Sequence, residues 1–140
     1  MGGVNMKEDY VSFKIAKLLK RKGFDWTCSV VYDLERPKSC EINKYYTNFG
    51  DSNHNKWSDL VSAPTIQRAM KWLREIHHIH TDIIIEGNSS CIKYYSNIRP
   101  FRIMYPTRFG DSIDTIKIGT YNTYEEACES AIKYCLTNLI

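Results

Sequence analysis

At 140 residues the chain is long enough to bury a core unaided and is read as one domain, 1–140. Hydrophobic residues at 43% and charged residues at 25% exclude wholesale disorder, and a net charge of +3 neither demands nor excludes a polyanionic partner. Five cysteines without a C-x-x-C pair exclude a zinc ribbon and argue against a disulfide framework, so a reducing cytoplasm is the expected location.

Residues 1–10 lack the apolar run of a signal peptide and are expected to be flexible. No later segment approaches the length of a membrane span. Residues 11–22 have helical periodicity: Val11, Ile15, Leu18 and Leu19 share one side, and Lys14, Lys17, Lys20 and Arg21 take the other. Ser12 or Asp9 caps its start; Gly23 and Phe24 suit a Schellman stop with a contact to Leu19. Strands are expected at 28–33 and 41–46, and a long polar surface loop at 47–61, tacked down by Trp57 and Leu60.

A second helix spans about 64–77, with Pro64 in its first turn and Trp72, Ile76, Ala69, Leu73, Ile66 and Met70 on one side. A buried strand follows at 81–86, then a turn over Gly87-Asn88-Ser89-Ser90 and a strand at 91–96. Further strands are expected at 100–105 and 114–118. Thr123 and Glu126 stand at capping-box spacing before a last helix, whose Ala127, Cys128, Ala131, Ile132 and Cys135 form one small-residue face. The expected class is α+β: a mainly antiparallel sheet with about three helices packed on one side, in the order α-β-β-α-β-β-β-α.

Three stretches carry a resemblance: Lys17-Leu18-Leu19-x-x-x-Gly23-Phe24-Asp25-Trp26-x-Cys28, Ser62-Ala63-Pro64-Thr65-x-x-x-Ala69-Met70-x-Trp72-Leu73-Arg74-Glu75, and Thr123 to Leu136. The chain resembles a group of small proteins that recur in gut bacteria and their phages. This implies a mobile-element or phage setting in a bacterial host cytosol, and the group brings no established activity. Locally, two strands followed by Ile116-Lys117-Ile118-Gly119-Thr120-Tyr121-Asn122-Thr123-Tyr124-Glu125-Glu126-Ala127 are similar to AP2-type DNA-binding domains. There three strands read the major groove and a helix packs behind them. The likeness covers only 91–137 and lacks the dense arginine and tryptophan pattern of those domains.

Two sets of residues are candidates for contact. Lys14, Lys17, Lys20 and Arg21 on the first helix, with Lys93, Arg99, Arg102 and Lys117 on the later strands, are the cations able to meet phosphates. A solvated helix surface is the favoured account of the first four. Tyr45, Tyr46, Trp57, Tyr94, Tyr95 and Tyr105 would make a protein-binding surface where they reach solvent. Neighbours Tyr45/Tyr46 and Tyr94/Tyr95 must each split between the two faces of a strand. His77, His78 and His80 lack the spacing of metal ligands. Asp51, His54 and Asp59 form the one acid–base set worth testing, and no nucleophile or phosphate-loop motif occurs. The expected function is therefore a non-enzymatic accessory protein, without cofactor or metal, that binds another macromolecule. A protein partner comes first, nucleic acid second, and a small-ligand or enzymatic site third. Self-association through the tyrosines is open, and no membrane partner is expected.

Overall fold

Ser12 accepts a hydrogen bond from the Ile15 N–H (3.4 Å) and so starts α1, Phe13–Arg21, which buries Ile15, Ala16 and Leu19. The computed structural model describes residues 9–34, 45–46, 51–100 and 115–140. The helix stops in the expected Schellman arrangement: the Phe24 N–H donates to Leu19 O (2.9 Å) and the Gly23 N–H to Lys20 O (3.1 Å). Phe24 is thereby driven into the core beside Leu19. Asp9 and Tyr10, placed by the sequence in a flexible start, are bound: Asp9 O accepts from the Ile66 N–H (2.8 Å), and Tyr10 bridges to Thr65.

β1, Val30–Asp33, pairs antiparallel with β2, Tyr45–Tyr46, and with β3, Leu60–Ser62. The described part of 47–61 is not the loose loop expected. It holds a 3-10 turn at His54–Lys56 and then β3. Asn55 ties it down, donating from Nδ2 to Phe24 O (2.8 Å) and accepting at Oδ1 from the Ser62 N–H (2.8 Å). Lys20 Nζ adds bonds to the carbonyls of Trp57 and Leu60 (2.6 Å each). A three-residue strand is too short to show alternation, so pairing with β1, not local pattern, creates it.

α2, Ile66–His77, is capped by Thr65, whose Oγ1 accepts from the Arg68 N–H (3.2 Å); Pro64 stands just outside it. It buries Ile66, Ala69, Met70, Trp72 and Leu73 and ends at His78 in the left-handed region (φ 57). β4, Ile79–Asn88, and β5, Cys91–Pro100, pair without a break over ten residues each, and β6, Ile116–Tyr121, completes a meander. The strand expected at 100–105 lies, past Pro100, outside the described residues. α3, Tyr124–Tyr134, begins at Thr123, whose hydroxyl accepts from the Glu126 N–H (3.2 Å). Its end widens into a π turn at Cys135–Leu139, where the Thr137 hydroxyl donates to Lys133 O (2.8 Å).

The class is α+β and the expected order is kept, with β3 and the 3-10 turn inserted before α2. The described strands divide into two three-stranded antiparallel sheets, β2-β1-β3 and β4-β5-β6, where the sequence suggested one. Both sheets and all three helices contribute to one buried cluster that includes Leu19, Val30, Val61, Trp72, Ile98 and Ile132. α3 packs on β4–β6, and on its other side meets α1 and α2. No helix among the described residues is long and apolar enough to cross a membrane.

Candidate functional site

Register and alternation give the β4–β5–β6 sheet two unlike faces. Ile79, Ile83, Ser96, Ile98, Ile116 and Ile118 point inward, where α3 covers them. The other face carries His80, Asp82, Ile84 and Glu86 from β4, Lys93, Tyr95, Asn97 and Arg99 from β5, and Lys117 from β6. Ile84 and Tyr95 do not join the core cluster.

The polar groups on this face are held in place. Asp82 Oδ2 lies 3.7 Å from Arg99 Nε, an ion pair across the β4–β5 ladder. Lys117 Nζ sits 4.1 Å from the centroid of the Tyr95 ring, and Lys93 Nζ donates to Asn122 Oδ1. Across the sheet the charge is graded. Asp82 and Glu86 are both on the edge strand β4, while the outward positions of β5 and the outward Lys117 of β6 carry no carboxylate.

A bulge shapes the Tyr95 region. Tyr94 pairs with Tyr121 and Ser96 with Ile118, so Gly119 and Thr120 together oppose Tyr95. Gly119 adopts φ 53, and a Cβ there would stand 2.7 Å from the Tyr121 ring. The extra residue returns Tyr121 to the inner face beside Tyr94.

Of the cations expected to meet phosphates, Lys93, Arg99 and Lys117 are brought together on this face; Arg102 lies outside the described residues. The α1 set is elsewhere, because α1 packs behind α3. Lys20 is committed to two backbone carbonyls. Lys17 lies over the Phe13 ring at 4.9 Å. Lys14 is held below the usual lysine range by hydrogen bonding with, and repulsion from, Lys133. Arg21 is exposed at the helix end.

The candidates with described side chains, Trp57, Tyr94 and Tyr95, do not share one face. Tyr94 and Tyr95 split as alternation demands: Tyr94 turns inward, edge-on to Tyr124 at 6.4 Å, and Tyr95 turns outward. Trp57 is exposed on the tethered segment with Lys56 over its ring, and Tyr45 and Tyr46 form β2. Tyr105 lies outside the described residues.

The chemistry of the other candidates is equally dispersed. His77 packs edge-on against Trp72 at 4.6 Å, His78 turns the chain, and His80 is on the open face. His54 is buried, Asp51 lines a cleft and Asp59 is exposed, so the three form no constellation. Burial pushes the Cys28 and Cys128 thiols up to about 11 and Cys135 up to about 12, which suppresses the thiolate a nucleophile needs. Among the described residues no group of three His, Cys, Asp or Glu side chains is placed to hold a metal.

Sequence reasoning missed one feature, an open cleft of about 400 Å³ between β1 and the start of α2, lined by Tyr10, Thr27, Ser29, Asp51, Thr65 and Arg68 among others. The Arg68 guanidinium lies 5.2 Å from the Trp26 ring and also borders a neighbouring hollow. Its residues come from four separated stretches, so no local pattern announces it. On the open face the sequence named Lys93, Tyr95, Arg99 and Lys117 singly, but the expected strand stopped at Ser96, so the row that continues through Asn97 to Arg99 came only with the full length of β5. The chain matches no family model, no curated protein and no solved structure.

Proposed function

We propose that the protein binds nucleic acid through the open face of the β4–β5–β6 sheet. The observation that carries the reading is the row Lys93, Tyr95, Asn97 and Arg99 on the central strand, with Lys117 beside it and no carboxylate on either strand's outward side. Alternate residues of a strand are about 6.7 Å apart, close to two base-pair steps of duplex DNA, and a β-ribbon fits the major groove. Arg99, steadied at Nε by Asp82, offers a guanidinium fork suited to phosphate or to a guanine edge. Asn97 suits adenine in the same way, and Lys93 and Lys117 suit phosphates. α3 fills the inner face, and the described outward side chains of β4 and β5 stay outside the core cluster.

The test is fluorescence anisotropy with a labelled mixed-sequence duplex across a salt series. If three cations each displace counterions, affinity should fall roughly 40-fold between 50 and 200 mM salt. Lys93→Ala with Lys117→Ala should lower the slope of log affinity on log salt by about 2, and Lys14→Ala with Lys17→Ala, on the far side of α3, should leave it unchanged. Absence of binding at 50 mM salt overturns the reading. A protein contact is the second reading, favoured by Ile85 and Ile92, which are 65% and 51% exposed near the tip of the β4–β5 hairpin.

A further inference from the structure

The two edges of the β4–β5–β6 sheet are protected very differently. β6 is six residues long, carries Lys117, and is deformed by the bulge at Gly119 and Thr120. Those are the devices by which sheet edges avoid pairing with other chains. β4 has none of them. It runs ten residues, Ile79–Asn88, pairs with β5 in unbroken register, contains neither proline nor lysine, and no described strand pairs with its other side.

We infer that β4 is a self-association edge, pairing antiparallel with β4 of a second copy about a two-fold axis at Ile83, so that two sheets join into one of six strands. The choice of occupant follows from the sequence of the edge. A two-fold axis perpendicular to the sheet sets residue i of one copy opposite residue j of the other with i and j of equal parity. Centred on Ile83, it places His80 opposite Glu86 twice, Thr81 opposite Ile85 twice, Asp82 opposite Ile84 twice, and Ile83 opposite itself. The imidazole and carboxylate make complementary pairs on the outer face, while Ile85, 65% exposed in the single chain, gains a neighbour on the inner face. Moving the axis one residue either way fails. Centred on Ile84 it sets Asp82 against Glu86 twice, and centred on Asp82 it sets that carboxylate against its own copy. Like charges directly opposite disfavour pairing, so charge rejects both neighbouring registers, and of the rest the Ile83 axis pairs the longest stretch of β4 that includes an opposite-type His80–Glu86 pair.

The pairing is independent of nucleic acid and goes beyond that reading, although it would place two copies of the Lys93–Arg99 row on one continuous sheet. An edge ribbon is a small interface by the standards of stable dimers, so a concentration-dependent equilibrium is expected and not an obligate dimer.

Light scattering coupled to size exclusion, with sedimentation equilibrium from about 5 µM to 1 mM, tests it without nucleic acid. The unaltered chain should pass from monomer to dimer within that range. His80→Glu sets four carboxylates across the junction and should weaken dimerisation about tenfold or more, while gaining a neighbour in Arg99 within the chain. Adding Glu86→His to it exchanges the two side chains and should restore dimerisation to within a few-fold. Ile85→Lys, at an exposed position that the fold does not require, should also weaken it. A chain that stays monomeric at 1 mM overturns the inference. So does a dimer indifferent to both His80→Glu and Ile85→Lys, or one that the charge exchange fails to rescue.

Discussion

Three thiols and one phenol in the core carry the clearest consequence of burial for a single residue. Cys28 and Cys128 are raised to about 11, and Cys135 and Tyr32 to about 12, in each case first by desolvation of the charged form. In the unfolded chain these groups ionise near their ordinary values, about 9 for thiols and 10 for tyrosine. Between those values and the raised ones the native state holds more protons than the unfolded state, so stability falls as pH rises. The urea midpoint should therefore be flat from pH 7 to about 8.5 and decline from pH 9 to about 11. Cys135→Ala should make that decline shallower. A midpoint that holds steady to pH 11 would contradict the burial of these side chains. The same protonation keeps the buried cysteines unreactive and leaves exposed Cys91 as the first of the described thiols to meet an alkylating reagent.

Among the elements, the turns decide the sheet, and two of them respond to substitution in opposite directions. Gly87 has φ 130, and a Cβ on it would stand 1.9 Å from Cys91 O, a backbone atom that cannot yield without breaking the hairpin register. Gly87→Ala should lower stability by about 2–3 kcal/mol. His78 occupies the left-handed region at the α2–β4 corner, and His78→Gly should raise stability by about 0.5–1 kcal/mol, since glycine enters that region freely. Thermal or urea melts of the two variants give both signs, and equal shifts in one direction would reject the assignment of either corner. These elements also show what the sequence made legible. α1, α2 and α3 were readable because each has an apolar or small-residue face, with Ser12 and Gly23 bounding the first and the Thr123–Glu126 spacing opening the third; the second was read from its periodicity, and its cap, Thr65, fell inside the range expected to be helix. β4 and β5 were recognisable, though their full length came from pairing with each other. β3 was not, because Leu60–Ser62 owes its extended form to β1 and to Asn55, a residue that reads locally as a loop former. Lys93 and Arg99 could be read as candidate cations, but their row on one face could not, because it needs β5 to run past Ser96 to Pro100. Nor could the row's separation from the α1 lysines, because only the packing of α3 between them sets it.

At the scale of the molecule, two sheets that do not pair with each other among the described residues share one interior, and the link between them is aromatic. Trp72 of α2 is 2% exposed, and its ring meets Phe24 at 5.4 Å and His77 at 4.6 Å. Phe24 follows α1 and is fixed through Asn55 to the β1–β3 sheet, whereas His77 leads through the His78 corner into β4. Trp72 thus touches the ends of both halves, and Leu73, Ile79 and Ile132 continue the same cluster. A core connected in this way should melt as one unit, so the fluorescence of Trp72 and Trp26 and the far-ultraviolet circular dichroism of the sheets should give coincident transitions. Trp72→Phe keeps an aromatic ring and should cost about 1–2 kcal/mol, leaving a single transition at a lower midpoint. Trp72→Ala removes the bridge and should cost about 3–5 kcal/mol, a large part of the total for a domain of this size. If the interior were two separate cores, that variant would melt in two steps, with one half keeping its original midpoint. A single shifted transition for both variants, read by both probes, is the outcome that a shared interior requires.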